Sequence, residues 1–188
     1  TTVTRFRDEL VSATADNLER ANKWVDDIRT SGGTAIWPAL EEAIGMQPKA
    51  ANGRAFTTIF FTDGQPTVDE TNPDRIVKNV AAKTSGNTRI FTFGVGDDVN
   101  AAMLDQLAES TRAVSTYVRP AEDIKDRVAG LYDKISHPVL TDLKLTTGEN
   151  VKLTEMYPPR LPDLFHGQQV VVTARYSGSG HSAVKLSG

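Results

Sequence analysis

Over the first 135 residues, segments with a helical spacing of apolar positions alternate with short, continuous apolar runs. The apolar runs, rich in aromatic and β-branched residues, predict buried strands: FTTIFF (56–61), RIFTFGV (89–95) and VSTYV (114–118). The helical spacing predicts five helices: 15–29, 36–46, one that opens at Asn72-Pro73, one that carries Met103 to Ala108, and 120–135. Strands that alternate with helices indicate a parallel sheet covered on both faces. The predicted fold class is therefore α/β, of the doubly wound, Rossmann-like kind.

The pattern changes after His137-Pro138. Four strand-like segments follow with Gly, Asn and Pro between them and no helical spacing. Such a pattern is typical of antiparallel strands. We predict a boundary near Ser136, with an α/β part at 1–135 and a β-strand-rich appendage at 136–188.

Composition narrows the classes of function. Hydrophobic residues make up 39% and charged residues 24%, which is typical of a globular protein. The formal net charge of −3 gives no electrostatic argument for nucleic acid or an anionic membrane as a partner. No apolar run reaches the ~20 residues that span a bilayer, so we expect no membrane insertion. The absence of cysteine excludes disulfides and thiolate zinc sites.

Two short segments carry the candidate chemistry. SGGTAIWPAL (31–40) places two glycines and Thr34 between two predicted helices, and Asp63 directly follows the strand at 56–61. Ligands of open parallel sheets bind outside the carboxyl ends of the strands. Each residue also has a simpler interpretation, Asp63 as a turn residue and Thr34 as the N-cap of the next helix. A cap, however, does not need the backbone freedom that two preceding glycines provide.

The segments SGGT (31–34), FFTDG (60–64) and FGVGDDVN (93–100), in this order and spacing, resemble the von Willebrand factor A domain. The likeness is closest to the A domain of inter-alpha-trypsin inhibitor heavy chains and their bacterial relatives. YVRPAEDI (117–124) and ISHPVLTDLKL (135–145) fit the same subgroup, so the resemblance covers nearly the whole chain.

The resemblance implies a metal-ion-dependent adhesion site (MIDAS) at the top of the sheet, with Mg²⁺ or another divalent cation. Thr34 matches the family's threonine ligand and Asp63 its later aspartate. The family's Asp-x-Ser-x-Ser loop is absent from this chain. By this comparison the chain is truncated at its N-terminus, the family's first strands precede residue 1, and TTVTRF (1–6) ends the third strand. We therefore expect an incomplete metal site with weak or no cation binding.

The function implied by the resemblance is non-catalytic binding, through cation-assisted adhesion or protein–protein recognition. The implied partner is a protein or extracellular-matrix ligand that presents a carboxylate. The implied location of the parent protein is extracytoplasmic, either secreted or at the cell surface. One alternative is a Mg²⁺-dependent phosphoryl-transfer enzyme that uses Asp63, which would need a second carboxylate and a phosphate-binding loop. A purely structural role is a third possibility.

Other polar residues favour simpler interpretations. Asp97 and Asp98 fit a turn before a helix, where acidic groups are favoured. His137, His166 and His181 have no ligand spacing. Without the family's first strands, the strand at 56–62 would be an unpaired edge and one helix face would lie uncovered. That face carries Leu18, Val25 and Ile28. An unpaired apolar edge is a template for another chain, so we expect this fragment to form a homo-oligomer.

Overall fold

The computed structural model describes residues 3–29, 32–48, 54–135, 138–165, 167 and 169–188. Helices and strands alternate in the first part: α1 (Ala15–Asp26), α2 (Ile36–Gly45), β1 (Phe56–Thr62), α3 (Pro73–Lys83), β2 (Thr88–Val95), α4 (Ala101–Ser110), β3 (Ser115–Val118) and α5 (Ile124–Ile135). Six short strands follow: β4 (Pro138–Leu140), β5 (Lys144–Thr147), β6 (Val151–Tyr157), β7 (Leu164–Phe165), β8 (Thr173–Gly178) and β9 (Val184–Ser187). None of the described helices is long and apolar enough to cross a bilayer.

The three strands of the first part form one parallel sheet in the order β1-β2-β3. β1 pairs with β2 from Phe56↔Thr88 to Thr62↔Gly94, so both strands end at the same edge of the sheet. The predicted α/β class with a parallel sheet is confirmed. Within the described residues, β1 pairs on one side only.

The two faces of β2 carry two hydrophobic clusters, because successive side chains of a strand point to opposite faces. Ile90 packs on one face with the inner residues of α2, α3 and α4. Phe91 and Phe93 pack on the other face, where α5 contributes Leu131. The first seven residues of β2 are buried. Helices on both faces explain why this strand reads as a continuous apolar run.

Helices α1 and α3 begin where the sequence predicted, and a side chain caps each of them. Thr14 accepts a hydrogen bond from Asn17 N at the start of α1, and Asn72 accepts one from Arg75 N at the start of α3. Two helices are shorter than predicted. α1 ends at Asp26 where residue 29 was predicted, and α5 begins at Ile124 where residue 120 was predicted.

The predicted antiparallel appendage is present as three two-stranded pairings, β4-β7, β5-β9 and β6-β8. The boundary predicted near Ser136 lies outside the described residues. The appendage contacts the first part through Phe165, whose ring meets Phe91 edge-on with centroids 5.9 Å apart. Phe165 is therefore part of the hydrophobic cluster beneath β2.

The amino-terminal region lies on the surface. The segment TTVTRF (1–6) was predicted to end a strand. Its described residues, 3–6, form no strand, so the prediction is wrong for them. α1 has no buried residue, and the ring of its Trp24 lies 6.0 Å from that of Phe6, between centroids. Leu18, Val25 and Ile28 are each about half exposed, as predicted for an uncovered helix face.

Candidate functional site

Asp63 lies where the sequence predicted it, at the carboxyl end of β1. The strand ends at Thr62, and Asp63 follows with an exposed side chain. The Thr62 hydroxyl donates a hydrogen bond to Gly64 O over 3.1 Å, which stabilises the bend that turns the chain away from the sheet. Asp63 thus presents its carboxylate at the edge where ligands of parallel sheets bind.

Thr34 is held beside this bend by two hydrogen bonds between its backbone and Thr67 in the neighbouring loop. Thr34 N donates to the Thr67 hydroxyl over 2.7 Å, and Thr34 O accepts from Thr67 N over 2.9 Å. A Cβ placed on Gly64 would lie 3.6 Å from the Thr34 hydroxyl oxygen. The structure therefore brings Thr34 next to the residue that follows Asp63, in one loop cluster at the carboxyl edge.

Gly32 and Gly33 make this approach possible. Gly32 has φ +78°, a region that favours glycine. A Cβ on Gly33 would lie 2.5 Å from the Thr67 hydroxyl oxygen and 2.8 Å from Val68 Cγ2, which is too close for any side chain. Sequence reasoning missed Thr67, whose role depends on the meeting of two loops that are distant along the chain.

The simpler interpretation of Thr34, as a helix cap, is wrong. The residue at the N-cap position of α2 is Ala35, and no side chain makes a capping hydrogen bond there. Thr34 instead joins the two loops through its backbone. Its half-buried side chain is not required for starting the helix.

The side chains of Thr34 and Asp63 are of the type that binds a hard cation. A hydroxyl and a carboxylate are oxygen ligands of the type that Mg²⁺ prefers. They are only two, and the described residues contain no group of three or more His, Cys, Asp or Glu side chains that could hold a metal ion. Thr34 and Asp63 thus offer two oxygen ligands of the kind that a hard cation prefers.

The remaining candidates lie at loops. Asp97 and Asp98 are exposed in the bend between β2 and α4, and Asn100 caps α4 by accepting from Met103 N. His181 is exposed in the segment between β8 and β9. His137 and His166 lie outside the described residues.

A phenol–carboxylate pair, not singled out from the sequence, links β3 to α4. The Tyr117 hydroxyl lies 2.7 Å from Asp105 Oδ1 and 2.9 Å from Ala101 O. Burial, and then the hydrogen bond to Asp105, raise the pKa of Tyr117 from 10.0 to about 12. The Tyr117 ring also lies across Gly94, where a Cβ would come within 2.8 Å of it.

Comparisons with known proteins agree with this architecture. Inter-alpha-trypsin inhibitor heavy chain H4 from Homo sapiens is 30% identical over 186 residues, which cover 96% of this chain and 20% of that protein. Heavy chain H2 from Mus musculus is 28% identical over 183 residues, covering 94% of this chain and 19% of that protein. The chain thus spans about a fifth of the length of these relatives.

A solved structure described as von Willebrand factor type A from Catenulispora acidiphila has the same fold. Its TM-score is 0.64 at 19% identity, and the match covers 94% of this chain and 43% of that one. A family model for the von Willebrand factor type A domain matches residues 1–117. The chain belongs to the von Willebrand factor type A domain family.

Proposed function

We propose that this chain is a non-catalytic binding module whose recognition site is the carboxyl edge of the sheet around Thr34 and Asp63. The observation that carries the proposal is the pairing of the Thr34 loop with the loop that follows Asp63. This pairing brings the Thr34 hydroxyl to the edge of the sheet where the exposed Asp63 carboxylate lies. The bonds that form it come from the Thr34 backbone, so the Thr34 side chain is not used for them.

A divalent cation, Mg²⁺ in the first instance, would be held in part by the Thr34 hydroxyl and the Asp63 carboxylate. When bound, it supplies an open coordination position for a carboxylate of the partner. The partner in this proposal is a protein or extracellular-matrix ligand that presents such a group. The setting is an extracytoplasmic one, secreted or at the cell surface, as the resemblance to inter-alpha-trypsin inhibitor heavy chains suggests.

No feature of the described residues favours the phosphoryl-transfer alternative. Residues 64–68 contain neither a carboxylate nor a lysine. The next two acidic side chains, Asp69 and Glu70, accept backbone hydrogen bonds in the turn before α3. Asp63 is therefore proposed as a binding residue and not as a catalytic one.

The experiment is a titration of the ¹⁵N-labelled chain with MgCl₂, followed by amide chemical shifts. Two protein ligands support only weak binding, so we expect a Kd of about millimolar and shifts confined to residues 32–34 and 63–68. Asp63→Ala should abolish the shifts while changing the free energy of unfolding by less than about 0.5 kcal/mol, because an exposed strand-end carboxylate stabilises little.

Asp98→Ala is the matched control, since it removes an exposed carboxylate that follows the neighbouring strand. It should leave the Mg²⁺ shifts unchanged. Equal losses in both variants, or shifts scattered over the acidic surface, would contradict the site. A micromolar Kd for Mg²⁺ would contradict the expectation that two protein ligands give only weak binding.

We also propose self-association of this chain through the outer side of β1, which carries no charged residue and no proline. Phe61 in this strand is 46% exposed. An edge of this kind offers unpaired backbone groups to a second copy.

A further inference from the structure

A polar cavity lies at the opposite end of the sheet from Asp63. It has a volume of about 370 Å³ and opens beside Thr88, the first residue of β2. Its walls come from the ends of α3 and α4, the loop into β2 and the β-strand-rich appendage. The described lining residues include five with hydroxyl side chains and two arginines, Arg112 and Arg160, and none of them is acidic.

A second cavity of about 240 Å³ shares both arginines. Apart from Arg112, its described lining residues belong to the appendage, and Lys144 is a further cation among them. The other lining residues are apolar: Leu143, Leu145, Met156, Pro159 and Leu161. Arg112 and Arg160 therefore stand between a polar cavity and a largely apolar one.

The local charge balance is positive. Arg112 pairs with Asp142, and Arg89 pairs with both Asp142 and Asp163. Among the described residues, no carboxylate pairs with Arg160. Arg89, Arg112 and Arg160 thus have two carboxylates between them as ion-pair partners among the described residues, in a chain whose formal net charge is −3. This excess positive charge favours an anionic ligand.

The carboxyl end of α4 accepts one hydrogen bond from Arg160 and leaves its other donors free for a ligand. Its carbonyls at Leu107 and Ala108 accept hydrogen bonds from the hydroxyls and backbone of the helix end itself. The carbonyl of Ser110 accepts one bond, from Arg160 Nη1 over 3.0 Å. A guanidinium has five N–H donors, so most of those on Arg160 remain for a ligand.

The hydroxyl groups of Ser110 and Thr111, beside Arg112 in the sequence, are neutral and do not balance the positive charge of the arginines. Ser110 and Thr111 donate their hydroxyl protons to carbonyls of α4, over 2.8 to 3.3 Å. A ligand in this cavity would meet guanidinium donors and no acidic side chain among the described lining residues, which favours a group that accepts hydrogen bonds and carries negative charge.

We propose that the cavity binds a phosphate or sulfate group between Arg112 and Arg160, with the substituent of that group extending into the second cavity. Guanidinium groups offer paired donors that match the oxygens of such tetrahedral anions. The two arginines come from different parts of the chain, one from the end of α4 and one from the appendage. The bound anion would thus join the appendage to the α/β part at the end remote from Asp63.

The test is a titration of the ¹⁵N-labelled chain with sodium phosphate, sodium sulfate, phenyl phosphate and sodium acetate at constant ionic strength. We expect saturable shifts at residues 84–88 and 110–112 with phosphate and sulfate, and weaker effects with acetate. Phenyl phosphate should bind more tightly than inorganic phosphate because its ring can enter the apolar cavity. Arg160→Gln should weaken phosphate binding about tenfold or more, as expected for the loss of a charge-assisted hydrogen bond.

Arg175→Gln is the matched control, because Arg175 is an exposed arginine of the same appendage, paired with Glu155. It should bind phosphate as the unmodified chain does. Arg160→Lys keeps the charge without the planar fork and should give an intermediate affinity, which provides a second test should Arg160→Gln fail to fold. Absence of saturation, equal binding of acetate, or equal weakening by the Arg160→Gln and Arg175→Gln changes would overturn the proposal. Phenyl phosphate binding no tighter than phosphate would overturn the placement of the substituent.

Discussion

Arg89 in β2 and Asp163 in the β-strand-rich appendage form a buried, two-point ion pair. Arg89 donates from Nε to Asp163 Oδ2 over 2.6 Å and from Nη2 to Oδ1 over 3.2 Å. Both side chains are less than 5% exposed. The second carboxylate oxygen also accepts from Asp142 N over 3.1 Å. The pair therefore fixes the appendage against β2, the central strand of the sheet.

Asp163→Ala should destabilise the chain strongly, because the buried Arg89 guanidinium loses its buried two-point partner and keeps only the longer contact with the half-exposed Asp142. Removal of one member of a buried pair costs about 3–5 kcal/mol. Urea unfolding followed by circular dichroism measures the change. The control is Glu155→Ala, which breaks an exposed pair with Arg175 and should cost no more than about 1 kcal/mol. Similar costs for the two changes would show that the buried pair does not hold the appendage.

Gly33→Ala should disturb the loop cluster at the carboxyl edge. The added methyl group would lie 2.5 Å from the Thr67 hydroxyl oxygen, so the Thr67 side chain, which accepts from Thr34 N, or one of the loops must move. We expect a loss of about 1–3 kcal/mol in the free energy of unfolding, as for other overpacked sites.

Gly45→Ala is the control for this change, because a Cβ at Gly45 meets no atom within 4 Å and the residue lies in α2. Alanine is the better helix former, so this variant should be neutral or slightly stabilising. A double variant, Gly33→Ala with Thr67→Gly, should recover part of the lost stability. If Gly33→Ala is as stable as Gly45→Ala, the close approach of the two loops is not required by the fold.

Tyr117 should titrate at high pH. Its phenol is protonated in the fold, and burial together with the hydrogen bond to Asp105 raises its pKa from 10.0 to about 12. Because the folded pKa lies above the unfolded value, the stabilising contribution is complete below pH 10 and is lost as the pH rises toward 12. The measurement is the pH dependence of the Tyr117 ¹³Cζ resonance, assigned with Tyr117→Phe.

Asp105→Ala should lower the pKa of Tyr117, although not fully to 10.0, because the ring remains partly buried. An unchanged midpoint in this variant would exclude the carboxylate as a cause of the shift. Asp123→Ala, which removes an exposed carboxylate from the segment before α5, serves as the control and should leave the midpoint in place.

The chain should form dimers or larger assemblies at concentrations of about tens of micromolar, through the outer side of β1. Light scattering coupled to size-exclusion chromatography measures the mass. Thr57→Lys places a charge at an exposed position of β1 and should shift the mass toward the monomer. Thr146→Lys, at an exposed position of β5, should not. A stable monomer of the unmodified chain would contradict the prediction.

The sequence alone determined the order and type of the elements in the α/β part, because apolar periodicity and capping residues act over a few neighbouring positions. Asp63 could be placed from its sequence for the same reason, since a residue directly after a buried strand lies at the carboxyl edge of a parallel sheet. Motif order and spacing also identified the family.

The tertiary structure decided the relationships that depend on segments distant along the chain. The sequence left a helix cap open as the simpler interpretation of Thr34, and only the meeting of its loop with Thr67, 33 positions later, shows that its backbone joins two loops. Arg89 sits within an apolar run, and nothing local predicts that its charge is matched by Asp163, 74 positions later. A buried charge is stable only where an oppositely charged partner and further hydrogen bonds lie close to it. Only the folded chain brings these groups together.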